Sequence, residues 1–300
     1  MRASLVVDRF SLTYVQKFTE YLHGVLRHHL DPDAAFLACD SVDEAQHPDG
    51  IVFLIGENLP PFRRRPGCRY VYLNFSVVSV LGSPFAASLS GHRQVFRKRR
   101  MLAARLPLYD MLLDFYAPQT RLLAHQLRLP VRGFDFAIAP VDAAPVHERS
   151  HQACFVGGIT DRRKAVLDAL EEAGVALSPS SGAAVEELAA KSLCCLNIHA
   201  QRSNHLEVPR LVAAFAAGCP VVTESSYGLA EFCDEDFVEE RALSGIASAV
   251  EALLADPDRV QRLGKAAARW YRETYLPRAE TRWRDLCHEI AGTEVPRDAA

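Results

Sequence analysis

The chain has 300 residues, 49% of them hydrophobic and 24% charged, with a net charge of −3. This is ordinary globular composition and long enough to bury a sizeable core in about two domains, so collagen, coiled coil and disorder are excluded. The longest apolar runs, such as residues 211–222 with Gly218 and Pro220 inside, fall short of the ~20 residues a membrane span needs.

In chain order, the first half alternates short apolar runs with helical patterns. Residues 4–7 read as a strand, and Leu12, Val15, Phe18, Leu22, Val25 and Leu26 then recur at helical spacing. Residues 35–39 and 51–55 (IVFLI, closed by Gly56) and 70–75 (YVYLNF) are further strands. Residues 95–106 have a basic amphipathic pattern, 110–115 read as a strand, 118–127 as a helix and 134–138 as a strand. Residues 139–150 (APVDAAPVHERS) are polar and aperiodic and read as a linker. The alternation then restarts: strand 153–156, paired Gly157 and Gly158, a helix through Val166 and Leu170 to Gly174, a short strand 175–177, a helix 185–191 and a strand 193–198. A helix over 207–217 ends at Gly218, a position suited to a left-handed cap. Strand 220–223 follows, then helices 246–254 and 260–271, the latter opened by Asp256 as cap and Pro257 in the first turn. Strands alternating with helices predict an α/β fold of parallel βαβ units. The expected boundaries are an N-terminal domain over 1–145, a second domain over 146–275, and a C-terminal helix and tail over 276–300.

The N-terminus, MRASLVVDRF, has no apolar stretch or small-residue cleavage site of a secretory signal. None of the eight cysteines forms a CxxC pair, and several lie inside apolar runs. They read as buried, reduced thiols, and a cytoplasmic location is the expectation. The first 150 residues carry a charge of +4 and the rest −7. Between Glu57 and Asp110 there is no acid but ten bases, among them Arg63, Arg64, Arg65, Arg69, Arg97, Arg99, Arg100 and Arg105. Such a stretch can focus a positive field on an anionic partner, or simply be a solvated basic face.

Three motifs carry chemistry. In the first, the strand ending Phe155-Val156 runs into Gly157-Gly158, and Arg162, Arg163 and Lys164 open the next helix. Glycines let a phosphate approach the backbone, a helix N-terminus favours an anion, and the bases add charge-assisted hydrogen bonds. The plain alternative is a glycine turn with a solvated helix start. In the second, Asn197 and His199 close a strand, and Glu207 and Arg210 open the following helix, where a doubly wound sheet binds ligands. A satisfied core histidine, a dipole-complementing glutamate and a surface ion pair are the competing readings. In the third, AAGCPVVTE, ending in Glu224, leads to GLAE, with Glu231 as its acid.

From Phe155 to about Tyr275 the chain resembles the nucleotide-sugar-binding half of GT-B glycosyltransferases, in the group-1-like branch that includes CgeB-type proteins. FVGG, the two arginines, LNIH, LEVPR, AAGCPVVTE and GLAE carry the likeness. Gly56-Glu57-Asn58, residues 70–75 and 108–114 add weaker support. The resemblance implies a GT-B fold, two Rossmann-like doubly wound domains facing a central cleft, and a nucleoside-diphosphate sugar as donor substrate without a further cofactor. It places Arg163, with Arg162 sharing the role, on the diphosphate, and Glu231 near the donor. Gly157, Gly158, Asn197 and Arg210 complete the expected donor site. Many retaining members carry two glutamates eight positions apart; here those positions are His205 and Ala213. Glu207 and Glu224 are the substitutes, and with His199 they form the expected catalytic set. Glu57 and Asp114 are further candidates for a base.

The acid-x-acid strings at Asp31/Asp33, Asp234/Asp236 and Asp256/Asp258 read as loop and cap residues, so no metal is expected. No GxSxG, HExxH or Cys/His zinc spacing is present. The dinucleotide fingerprint is missing, which disfavours a nicotinamide dehydrogenase. A sequence pI near 6.4 argues against a dedicated nucleic-acid binder. The expected partners are the donor and, from the basic stretch alone, an anionic or lipid-linked glycan acceptor, with peripheral membrane contact through residues 96–102. The alternative is a degenerate GT-B binding module without turnover.

Overall fold

A computed structural model describes residues 1–56, 58–75, 100–178, 184–200 and 205–292. The chain divides into two units: Met1–Ala137 with Arg278–Ala300, and Ile138–Pro277. The division falls ahead of the 139–150 segment that reads as a linker. It also assigns most of the C-terminal helix, Leu276–Gly292, to the first unit.

Among the described residues, the first unit has six parallel strands: β1 (Ala3–Asp8), β2 (Ala35–Cys39), β3 (Ile51–Ile55), β4 (Arg69–Asn74), β5 (Met111–Asp114) and β6 (Val131–Gly133). Their order is β2-β1-β3-β4-β5-β6. β1, β3 and β4 are buried along their whole length, as expected for parallel strands covered on both faces. Helix Arg9–His29 starts where Asp8 accepts from the Ser11 backbone N–H at 3.0 Å. The apolar run 134–138 is buried but lies outside the ladder; the sixth strand is Val131–Gly133 instead. The run is spent on aromatic packing. Phe134 and Phe136 stack on Phe18 at 5.6 and 4.7 Å, and Phe134 meets Trp283 at 5.1 Å.

Among the described residues, the second unit has four parallel strands: β7 (His151–Cys154), β8 (Ser192–Asn197), β9 (Val221–Glu224) and β10 (Val238–Arg241), ordered β10-β9-β8-β7. The short strand expected at 175–177 is reduced to one parallel bridge, Ala153 with Leu177, on the far side of β7. β10 reads VEER, a charged edge whose sequence carries no strand signal. From β7 the chain therefore turns first to one side, at Leu177, and then to the other, at β8. That makes the carboxyl ends of β7 and β8 the topological switch point, where open α/β sheets bind ligands. Helix Asp161–Glu172 follows β7, and helix Val208–Ala216 follows β8. Helix Pro257–Trp270 is capped by Asp256, which accepts from the Arg259 N–H at 2.8 Å. All eight cysteines are free and buried.

Candidate functional site

The switch point is filled by side chains from four segments. Gly157 ends β7's extension with φ +146°, a conformation L side chains rarely adopt. A Cβ there would lie 3.1 Å from Arg163 Nη1, 3.2 Å from Arg210 Nη2 and 3.4 Å from the Phe155 ring. The two guanidinium carbons lie over that same ring, at 5.0 and 5.1 Å, a cation–π arrangement that keeps both arginines against the apolar core.

Each arginine fastens a different part of the glycine turn. Arg163 Nη1 donates to the Gly158 carbonyl at 2.8 Å and Nε to the Ile198 carbonyl at 2.9 Å. Arg210 Nε donates to the Val156 carbonyl at 3.2 Å, and Nη1 to Asn197 Oδ1 at 2.5 Å. Asn197 in turn donates to Thr223 Oγ1 at 2.8 Å, which ties β8 to β9. Glu207 closes the pair from outside: Oε1 meets Arg163 Nη2 at 2.9 Å, and Oε2 meets Arg210 Nη2 at 2.5 Å. The carboxylate is 26% exposed and the guanidinium side chains only 5% and 8%. Burial, with Arg210 as a like-charged neighbour, draws Arg163 down to about 10, although Glu207 opposes the shift.

A second ion pair lies on the adjoining strand end. Arg162 donates to both carboxylate oxygens of Glu224, at 2.6 Å to Oε2. Glu224 Oε2 also accepts the backbone N–H of His199 at 3.1 Å. The His199 ring is buried, and burial lowers its pKa, so the neutral form is favoured. Ser226 Oγ donates to the Glu224 carbonyl at 2.8 Å, so at 2.9 Å it accepts from His199 Nε2–H. That assigns the tautomer and leaves Nδ1 as a bare acceptor. Nδ1 is buried, has no hydrogen-bond partner and lies 3.6 Å from Glu224 Oε2.

Gly157, Arg162, Arg163, Asn197, His199, Glu207, Arg210 and Glu224 are thus gathered into one constellation, together with the exposed Gly158. Glu231 is presented at the surface on the short helix Leu229–Phe232, after Gly228 at φ +79°. Phe155 and Thr223 lie inside the motifs but the sequence gives them no role, and Ser226 lies outside them. Phe155 sits two residues before Gly157, but a ring's use as a cation platform leaves no periodic mark. Of the other base candidates, Asp114 belongs to the first unit. There it is fully buried and accepts from Asn74 Nδ2 at 2.6 Å, Gln119 Nε2 at 2.6 Å and the Tyr116 N–H at 2.9 Å. These contacts make it a structural hub. Glu57 lies outside the described residues.

Among the described residues, two members of the basic stretch are ion-paired with acids from other parts of the chain. Arg64 forms a bidentate pair with Asp110 at 2.9 and 3.0 Å, and Arg65 meets Asp49 at 2.7 Å. Arg69 and Arg105 are buried and donate to backbone carbonyls of Ile290, Gly56 and Leu59. Arg93, Arg97, Lys98 and Arg99 lie outside the described residues. Among the described residues, no group of three or more His, Cys, Asp and Glu side chains is arranged to hold a metal ion. No described helix is long and apolar enough to cross a membrane.

Residues 163–287 match the family model described as glycosyl transferase-like. No curated protein matches the chain in sequence. Among solved structures, WaaG, a glycosyltransferase involved in lipopolysaccharide biosynthesis, superposes with a TM-score of 0.63 at 13% identity, covering 98% of this chain and 100% of that one. A sucrose-phosphate synthase from Thermosynechococcus elongatus gives 0.59 at 10% identity over 97% and 99%. TarM gives 0.54 at 11% identity, covering 79% of this chain, which spans 54% of that structure's length. At these identities the superpositions speak to fold alone. The chain has the GT-B fold, and residues 163–287 within it match a glycosyl transferase-like family model.

Proposed function

We propose that the protein transfers a sugar from a nucleoside-diphosphate sugar to an acceptor hydroxyl, and that it belongs to the CgeB-type branch. One observation carries this reading. Two buried guanidiniums share a single carboxylate beside a left-handed glycine turn, at the switch point of a parallel sheet. Counting Arg162, Arg163 and Arg210 against Glu207 and Glu224, with His199 neutral, the constellation carries one uncompensated positive charge. A leaving diphosphate is the anion such a site stabilises, and preorganised charge of this kind supplies much of the rate in group transfer.

The roles follow from position. Arg163 and Arg210 face the diphosphate, and Asn197 holds Arg210 in place. Gly157 and Gly158 let phosphate oxygens approach the backbone, with Arg162 at the start of the same helix. Glu231 approaches the donor from the surface. His199 and Glu224 are the groups next to the transferring sugar, and Glu207 stands between the two arginines at the diphosphate end. Among the described residues His199 Nδ1 is a buried acceptor without a hydrogen-bond partner, and a proton it received would sit against Glu224. The reaction proceeds without a metal, and the protein acts in glycan assembly in the cytoplasm. The acceptor is a glycan hydroxyl. Its anionic or lipid-linked character rests on Arg63 and residues 93–100, because Arg64 and Arg65 are ion-paired and Arg69 and Arg105 are buried. If vesicles with and without anionic lipid bind the protein equally, membrane contact is removed from this reading.

A thermal-shift panel with UDP, GDP, ADP, CMP and dTDP tests the donor site. One nucleotide is expected to stabilise the protein by about 2.7 kcal/mol at a hundredfold excess over Kd, and Arg163→Ala is expected to abolish that shift. A flat panel overturns the reading. A binding module without turnover is favoured by a different observation, that both site carboxylates are ion-paired and Nδ1 is closed to solvent. Hydrolysis of the bound donor, lost in Arg163→Ala, rules that module out.

A further inference from the structure

We propose that Glu207 is the resident anion of the diphosphate site. Its carboxylate occupies the place of a phosphate between Arg163 and Arg210 and leaves when the donor arrives. This rests on the donor reading above and deepens it.

The geometry carries the inference in three steps. First, each arginine commits Nε and Nη1 to fixed acceptors behind it: the Ile198 and Gly158 carbonyls for Arg163, the Val156 carbonyl and Asn197 Oδ1 for Arg210. Only Nη2 of each points to Glu207. The scaffold therefore stays intact when the carboxylate is exchanged, because nothing but those two outward nitrogens changes partner. Second, Glu207 is the outermost of the three groups, 26% exposed against 5% and 8%. An anion from solvent meets the carboxylate first, and the displaced side chain has water to move into. Third, Glu207 is not needed to cap its helix. It stands at the N-terminal boundary of Val208–Ala216 without a side-chain capping bond. Both its oxygens are spent on the arginines.

The exchange is favourable on charge. One carboxylate places −1 against two buried cations, whereas a diphosphate brings more negative charge and more acceptor oxygens to the same two nitrogens. Without a ligand, Glu207 keeps the arginines from facing each other unneutralised across the Phe155 ring, a state that costs more than the pair itself provides. The consequence is that Glu207 competes with the donor and sets its affinity.

Titration calorimetry with inorganic pyrophosphate tests this on the full chain. Glu207→Gln keeps the shape of the side chain and removes the competing charge. It is expected to bind pyrophosphate at least about tenfold more tightly than the wild type. Equal or weaker binding by a variant with a native circular dichroism spectrum overturns the proposal. If Glu207→Gln does not fold, the wild type answers through its arginine Nη–H resonances. Added pyrophosphate is expected to shift those of Arg163 and Arg210, and unchanged resonances under saturating pyrophosphate overturn it. The nucleotide panel separates the two failures. A nucleotide shift without tighter pyrophosphate binding in Glu207→Gln defeats this inference alone. No binding of any nucleotide or of pyrophosphate defeats the donor reading with it.

Discussion

Gly157 is where backbone and site chemistry meet. Its φ of +146° strains any side chain, and the two guanidinium nitrogens within 3.2 Å of a hypothetical Cβ would have to give way by a few tenths of an ångström. Gly157→Ala is expected to cost about 1–3 kcal/mol in urea denaturation and to weaken nucleotide binding further, because relief of the clash moves Arg163 or Arg210. Asp114 is a residue of the opposite kind, buried for structure. Burial pushes its carboxyl from 3.8 up to about 6, against the hydrogen bonds from Asn74 and Gln119 that lower it. The folded chain therefore binds this proton more tightly than the unfolded chain. The stability it contributes is present at low pH and falls as pH rises from 3.8 to about 6. Asp114→Asn removes that slope while losing an acceptor, so its urea-midpoint deficit is expected to be larger at about pH 4 than at about pH 7. A deficit independent of pH contradicts the assignment.

At the level of elements, the helix that opens the site is held by a close backbone approach. Gly218, at φ +58°, ends the Val208–Ala216 helix, and a Cβ there would meet the Gly264 carbonyl at 3.2 Å. The reverse contact is tighter: a Cβ on Gly264 would lie 2.7 Å from the Gly218 carbonyl. Helix Pro257–Trp270 thus docks on the turn through two facing glycines. Gly264→Ala is expected to destabilise by about 1–3 kcal/mol, read as a lower thermal midpoint, because the obstacle is backbone and cannot rotate away. The same scale explains the basic stretch. Ten bases without an acid between Glu57 and Asp110 suggest a field. The fold brings Asp49 and Asp110 to Arg65 and Arg64, and carbonyls to Arg69 and Arg105.

For the whole molecule, the chain leaves the first unit at Ala137 and returns to it at Arg278. The returning helix completes that unit's core. Trp283 is fully buried, its Nε1 donates to the Asp135 carbonyl at 3.0 Å, and Phe18 and Phe134 lie against it. Trp283→Ala is expected to lower the unfolding free energy by about 3–5 kcal/mol while leaving nucleotide affinity unchanged. The site residues all belong to Ile138–Pro277. Equal loss of affinity and stability in this variant contradicts that separation.

Much of this was legible in sequence because it is written in local periodicity and turn chemistry. Runs such as IVFLI and LCCLN are continuous and apolar because parallel strands are covered on both faces. Asp256-Pro257 and Gly218 mark helix ends through backbone geometry that needs no distant partner. The glycine turn, the arginines and LNIH at strand ends likewise pointed to the carboxyl edge of the sheet, since chain direction decides which end of a parallel strand each loop leaves, while the pairing on either side of β7 made that edge the switch point. Other features depended on partners far away in the chain. VEER forms an edge strand because β9 offers it a ladder, although its residues carry no strand pattern. Residues 134–138, apolar enough for a strand, are claimed by Phe18 and Trp283. At the site, sequence named Glu207, Arg163 and Arg210 separately. Only the tertiary structure set one carboxylate between two buried guanidiniums over the Phe155 ring, because charge balance is a property of side chains that meet in space, and these come from segments more than forty residues apart.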